Sequence, residues 1–154
     1  MYKHLLTLVF CILTVHKDNY ENIYCVVKGY KDFLLHPPTD APWIPYKKFI
    51  PAIYKFNESS GEFTIEPEKD ADEVPWVCID PLNPDIKAFP QYENSFPVKC
   101  RVRSGDALFL PSLWYHHVRQ SHGCIAVNYW YDMEYDMKYN YYQLLQNLTW
   151  NLKI

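Results

Sequence analysis

A chain of 154 residues has room for one domain with one sizeable core, and an aromatic content of 18% with only four glycines argues against disorder. The formal net charge of −3 leaves no basic footprint for nucleic acid. Five cysteines (Cys11, Cys25, Cys78, Cys100, Cys124) are odd in number and lack C-x-x-C spacing, so they read as reduced thiols of a cytosolic chain and not as a zinc site or a disulfide framework.

Residues 1–15, MYKHLLTLVFCILTV, are apolar after a Lys/His start. The run is well short of the roughly 20 residues that span a bilayer, so no membrane segment is expected. Three readings stay open. It is an apolar lead-in strand, a signal peptide without a small-residue cleavage site, or a replacement arising from an alternative start, splice form or gene model. His16-Lys17-Asp18 follows. On a strand, residues two apart share a face, so His16 and Asp18 can grip one metal while Lys17 points away. A histidine from another strand would complete a two-histidine, one-carboxylate facial triad, which leaves the open positions that an oxygen-activating iron needs.

NIYCVVKGYKDFLLHPP predicts two apolar strands joined by a turn at Lys28-Gly29-Tyr30. Residues 37–97 then hold eleven of the twelve prolines, which forbid long helices and central strands. This insertion is expected to be extended segments and turns. Edge strands are placed at Phe49 to Phe56 and Phe63 to Ile65 around Glu58-Ser59-Ser60-Gly61, with a short acidic helix near Glu66 to Val74. Asp80 and Asp85, around the Pro81 to Pro84 turn, read as turn caps more readily than as substrate contacts. Further on, Gly105-Asp106 predicts a turn, Ala107 to Leu110 a short buried strand, and Pro111 its end. His116 and His117 cannot share a face. One sides with Trp114 and Val118, the other with Tyr115. A strand from Cys124 to Tyr131 puts Ala126, Asn128 and Trp130 together. From Asp132 the period becomes helical through Met133, Met137, Tyr141, Leu144, Leu145, Leu148 and Leu152, which predicts an amphipathic helix over 132–154.

The order H-x-D, Asn22, K-G-x-K, an apolar strand ending in His36-Pro37-Pro38, and later W-x-H-H-V and V-N-x-W resembles the JmjC-type hydroxylases of the cupin superfamily. The resemblance runs from His16 to about Leu148. It implies a mainly β, double-stranded β-helix (the cupin/JmjC jelly roll), partial at the amino-terminal side and closed by a carboxy-terminal α-helix. The JmjC core would occupy 16–131. It also implies Fe(II) bound by His16, Asp18 and His116, the first histidine of the pair. 2-Oxoglutarate would have its distal carboxylate on Lys31, with Asn22, Asn128 and Trp130 lining its site. Family members commonly carry threonine or serine three residues before the first ligand, where this chain has Leu13, a departure that weakens the co-substrate site.

The implied function is a dioxygenase that hydroxylates a protein lysine, with developmentally regulated GTP-binding proteins as partners and a cytoplasmic, also nuclear, location. Peptidase activity is implied only by resemblance, for no nucleophile-and-base pattern or H-E-x-x-H helix stands in the sequence. Carboxy-terminal helices of related hydroxylases build homodimers, a use compatible with the apolar stripe and with Tyr135, Tyr139 and Tyr142. The rival readings are a truncated, non-catalytic binding module and a metal-binding cupin without oxygenase chemistry. Lys31 and Asn22 favour 2-oxoglutarate over the plain metal cupin.

Overall fold

A computed structural model describes residues 12–152, with side chains described for 14–150. Residues 1–11 of the expected lead-in, including Cys11, lie outside the described residues, as does the side chain of Leu13. In chain order the elements are β1 (Ile12–Lys17), β2 (Tyr20–Lys28), β3 (Tyr30–His36), β4 (Tyr46–Phe49), β5 (Ala52–Asn57), β6 (Glu62–Pro67), β7 (Val74–Val77), β8 (Val98–Arg103), β9 (Ala107–Leu110), β10 (Tyr115–Gln120), β11 (Ile125–Asp132) and α1 (Met137–Leu152). They form two compact units, 46–78 and the remainder of the described chain.

The larger unit is built from two antiparallel sheets, ordered β1-β10-β3-β8 and β11-β2-β9. Alternation along each strand sends one side chain in two inward. Phe33, Leu35, Val102 and Val118 from the first sheet therefore meet Tyr24, Val26, Leu110 and Ala126 from the second in one core. Each large apolar side chain buried this way contributes about 1.5–3 kcal/mol. The β2–β3 turn is as expected. Gly29 takes φ 79°, and a Cβ there would be driven into Ser121 and the backbone of Cys124, so only glycine fits.

In this unit three expectations need correction. β9 is an edge strand of its sheet, and of its residues Leu110 alone is buried. The carboxy-terminal helix begins at Met137, so Met133 is buried in the loop that precedes it. Tyr142 is buried too. Its hydroxyl lies 3.1 Å from that of Tyr115 and its ring 5.0 Å from the Lys17 ammonium, so it docks α1 on its own sheet and is not available to a partner.

The smaller unit is two antiparallel ribbons, β4 with β7 and β5 with β6. No helix forms between Glu66 and Val74. Pro67 ends β6, and Glu68 donates its amide to the Pro51 carbonyl at 2.8 Å, so proline and turn geometry override the acidic helix-former content. The strand expected from Phe49 to Phe56 is broken at Ile50 and Pro51. The aspartates around Pro81 to Pro84 act as turn caps, Asp80 accepting from the Leu82 amide at 2.9 Å and Asp85 from the Ala88 amide at 3.1 Å.

Where β3 ends, His36 is fully buried between two 3-10 segments, Pro38–Trp43 and Pro90–Asn94. Its Nδ1–H donates to Asp40 at 2.9 Å, and its Nε2 accepts from the Tyr92 hydroxyl at 2.9 Å. The same Asp40 oxygen accepts the Phe96 amide at 2.8 Å. Burial lowers the His36 pKa from its usual 6.5 against the pull of Asp40, and raises that of Tyr92 to about 12. A neutral imidazole therefore spans the network. In the unfolded chain His36 protonates near 6.5, so below that pH the unfolded state binds more protons and stability falls as pH falls. The melting temperature should drop from pH 7 to 5, His36→Gln should flatten that slope, and Tyr92→Phe should cost about 1–3 kcal/mol at pH 7 by leaving a buried acceptor unmet.

Candidate active site

The site is assembled by the register of β10. His16 of β1 pairs with His116, which pairs across with Leu35 of β3. Partners directly opposite in a ladder share a face, so both imidazoles project between the sheets. Their ring centroids are 4.2 Å apart. Asp18 follows the end of β1, and its Oδ2 reaches to 3.7 Å from His116 Nε2. One ligand atom from each of His16, Asp18 and His116 lies within 4.8 Å of the others. Lys17, on the opposite face, leans on Tyr142, and His117 likewise faces away from this cluster beside Leu34.

The two rings, tilted 55° to one another, are anchored in the same way. His16 Nδ1 bonds the Thr14 carbonyl at 2.8 Å and His116 Nδ1 the Trp114 carbonyl at 3.1 Å. A carbonyl only accepts, so each Nδ1 carries the proton and each Nε2 presents its lone pair. His116 is 1% exposed and its Nε2 has no hydrogen-bond partner. Burial first, and then the His16 ring, hold its pKa below the usual 6.5, so the ring stays neutral as a metal donor must be. A buried, unprotonated nitrogen with a second imidazole and a carboxylate beside it fits a divalent cation such as Fe(II).

Lys31 lies on the same inward face, four pairs further along the ladder, opposite Gln120 and Val102. It is buried, its ammonium 5.7 Å from the centre of the Tyr24 ring. From the facing sheet, Asn22, Tyr24, Asn128 and Trp130 share the inward face, Tyr24 pairing with Asn128 and Asn22 with Trp130. Asn22 and Asn128 are buried, whereas Trp130 is half-buried. Both atoms of the Asn22 carboxamide lack a hydrogen-bond partner within ordinary length. A buried cation and an unmet amide on facing walls suit a ligand with a carboxylate and further acceptors. Tyr24 was not singled out from the sequence. Burial, reinforced by Asp18, pushes its hydroxyl up to about 12, and its signal was the alternation Asn22, Tyr24, Val26 along β2.

Outside the ligand cluster a cleft of ≈ 380 Å³ opens beside Asp18, walled by Lys17, Tyr20, Asp132 and Tyr135. Residues 11–137 match the model of the cupin-like domain.

The chain belongs to the cupin-like family, as a JmjC domain. It is 54% identical over 138 residues to the human bifunctional peptidase and (3S)-lysyl hydroxylase JMJD7, covering 90% of this chain and 43% of that protein. It is 41% identical over 150 residues to the lysine-specific demethylase JMJ32 of Arabidopsis thaliana, again 90% of this chain and 44% of the relative. JmjC domain-containing protein E of Dictyostelium discoideum is 38% identical over 156 residues, with 90% and 44% covered. The chain thus spans less than half the length of these relatives. The mainly β cupin-like fold with one carboxy-terminal helix, expected from the sequence, is the one observed.

Asp18→Ala deletes the one anion of the three-residue cluster, and His116→Ala its most buried donor. Each should weaken Mn(II) affinity in calorimetric titration by at least about a hundredfold, whereas His117→Gln should leave it within a few-fold. The reverse ranking of the two histidines would show that the cation is held from the other face.

Proposed function

We propose that this cupin-like chain carries an Fe(II)- and 2-oxoglutarate-dependent protein hydroxylase site acting on lysine. The observation that carries the reading is the single inward face that holds His16, His116 and, four pairs along, the buried Lys31, with Asp18 closing the cluster. Fe(II) and 2-oxoglutarate together supply oxidation of an unactivated C–H bond by dioxygen, with CO₂ and succinate released. The chain supplies placement. His16 and His116 aim their Nε2 lone pairs, and Asp18 adds the negative charge that favours a divalent ion.

Lys31 would neutralise the distal carboxylate of the co-substrate through a charge-assisted bond, its ammonium having been desolvated in advance. Asn22 and Asn128 would donate amide hydrogens, and Tyr24 forms an apolar wall whose hydroxyl keeps its proton. Trp130, half-buried, would border the cavity. The nearly complete burial of His116, Asn22 and Lys31 excludes water from the reacting centre.

A protein lysine is the proposed substrate class because the human relative's name is that of a lysyl hydroxylase. The cleft beside Asp18 also carries Asp132, a charge suited to an incoming ammonium. Developmentally regulated GTP-binding proteins are the proposed partners, and cytoplasm and nucleus the proposed location. Peptidase activity rests on the human relative's name alone. Among the described residues no helix is long and apolar enough to cross a membrane. Homodimer formation through α1 is supported by the exposed Met137, Tyr141, Leu144 and Leu148, whose four-three-four spacing makes one stripe.

The test is succinate production from 2-oxoglutarate by the Fe(II)-loaded chain with a lysine-containing protein substrate. Turnover should vanish in Asp18→Ala. Lys31→Ala should weaken 2-oxoglutarate binding roughly tenfold to a hundredfold while Mn(II) affinity stays within a few-fold. Metal binding with no affinity for 2-oxoglutarate would instead identify a metal cupin without oxygenase chemistry. Co-substrate binding without turnover would identify a binding module.

A further inference from the structure

The β5–β6 ribbon has two chemically different faces. Antiparallel register pairs Ala52 with Pro67, Tyr54 with Ile65 and Phe56 with Phe63 on one of them. The other carries Ile53 with Glu66, Lys55 with Thr64 and Asn57 with Glu62. Lys55 and Glu66 form an ion pair there, and the Thr64 hydroxyl donates to the Lys55 carbonyl at 3.5 Å. The first face bears no charge, and its rings are organised, Phe63 lying 5.0 Å from Phe56 and 6.5 Å from Tyr54 between centroids.

All of it meets solvent. Tyr54 is 72% exposed, Phe63 66%, Ile65 62% and Phe56 54%. A two-stranded hairpin on its own is marginally stable, and a contiguous aromatic patch of this kind marks an interaction surface. The register leaves the ribbon no internal remedy. All six apolar side chains of the paired face point one way, and a one-residue slip would only bring the charged set over to join them.

We propose that this face docks against the same face of a second copy of the chain, the two ribbons stacked across a twofold axis. A face without charge neither requires an oppositely charged partner nor repels its own copy. Twofold symmetry sets a patch against itself, so a surface made only of aromatic and aliphatic groups is self-complementary. The four large side chains leave roughly 500 Å² of apolar surface per copy, so two copies bury on the order of 1,000 Å², the lower bound for a specific interface. Stacked sheets sit about 10 Å apart, a gap that interdigitated phenyl rings fill. The Lys55–Glu66 face then points to water on both sides. This surface is independent of α1 and of the hydroxylase reading.

Sedimentation equilibrium of the full chain tests the proposal. Wild type should associate to dimers or larger species. Phe56→Asp and Phe63→Asp should each weaken the ribbon contact at least about tenfold, while Lys55→Gln on the opposite face should not. In a Leu144→Asp/Leu148→Asp background, which removes the α1 stripe, a dimer should persist and Phe63→Asp should dissolve it. Single cysteines at Phe56, Phe63 and Ile65 give a second readout, since at least one should yield a disulfide-linked dimer under mild oxidation that wild type does not form. A monomeric wild type, or association lost in the α1 variant and untouched by Phe63→Asp, overturns the proposal. So does the absence of any cross-link from the three cysteine positions.

Discussion

The candidate site depends on the antiparallel register of β10 between β1 and β3. That register places His16, His116 and Leu35 in one row and Gln120 with Lys31 four pairs along, all on the inward side. A slip of one residue would turn His116 out, to the face away from His16 and Lys31, and bring His117 in. Local devices hold the register. Leu113, with φ 66°, donates its amide to the Asp18 carbonyl at 2.8 Å, which ties the end of the H-x-D segment to the entry of β10. A left-handed leucine costs roughly 1–3 kcal/mol. The bond and the burial of its side chain offset that cost, and the observed strain stands beside the candidate metal ligands.

Charge and burial then act together on this one face. His116 is neutral because water is excluded, and the same exclusion leaves its Nε2 without a partner. The Asn22 carboxamide is buried with no hydrogen-bond partner within ordinary length, and Lys31 is buried beside Tyr24. Groups of this kind cost free energy in an apolar setting and repay it when a complementary ligand arrives. A cation between the imidazoles and Asp18 would meet the His116 nitrogen, and a dicarboxylate between Lys31 and the asparagines would bring opposite charge to the ammonium. Preorganised polar groups of this sort spend their reorganisation cost during folding and not during binding.

The elements that the sequence made legible are those whose side chains obey period two over a buried face. β2, β3, β10 and β11 fall near where the apolar runs and Gly29 put them, and parity alone separates His116 from His117. What alternation could not supply was which of the two faces the metal. The resemblance chose His116, and the structure sets it against His16 and Asp18. The illegible parts depend on contacts distant in sequence. His36, Asp40 and Tyr92 meet across as many as 56 residues, and nothing local to His36-Pro37-Pro38 announces it. The acidic stretch from Glu66 to Val74 has helix-forming composition, yet pairing of β5 with β6 and of β4 with β7 fixes both its ends at ribbon spacing. Tyr24 was passed over because tyrosine on an inward face reads as core, and only the asparagines and ammonium around it mark the cavity.

The exposed apolar side chains include those on one face of the β5–β6 ribbon and those in the stripe on α1. They differ in what supports them. α1 already buries Tyr142 against the larger unit, so its fold does not need a partner, and its stripe is the residue of an amphipathic pattern that has one side satisfied. In the ribbon, by contrast, every residue of β5 and β6 is exposed. Two self-complementary surfaces on one chain would assemble copies into a closed ring or an open chain. An open chain is what an aggregating protein looks like, so covering the ribbon face bears on solubility as much as on stoichiometry.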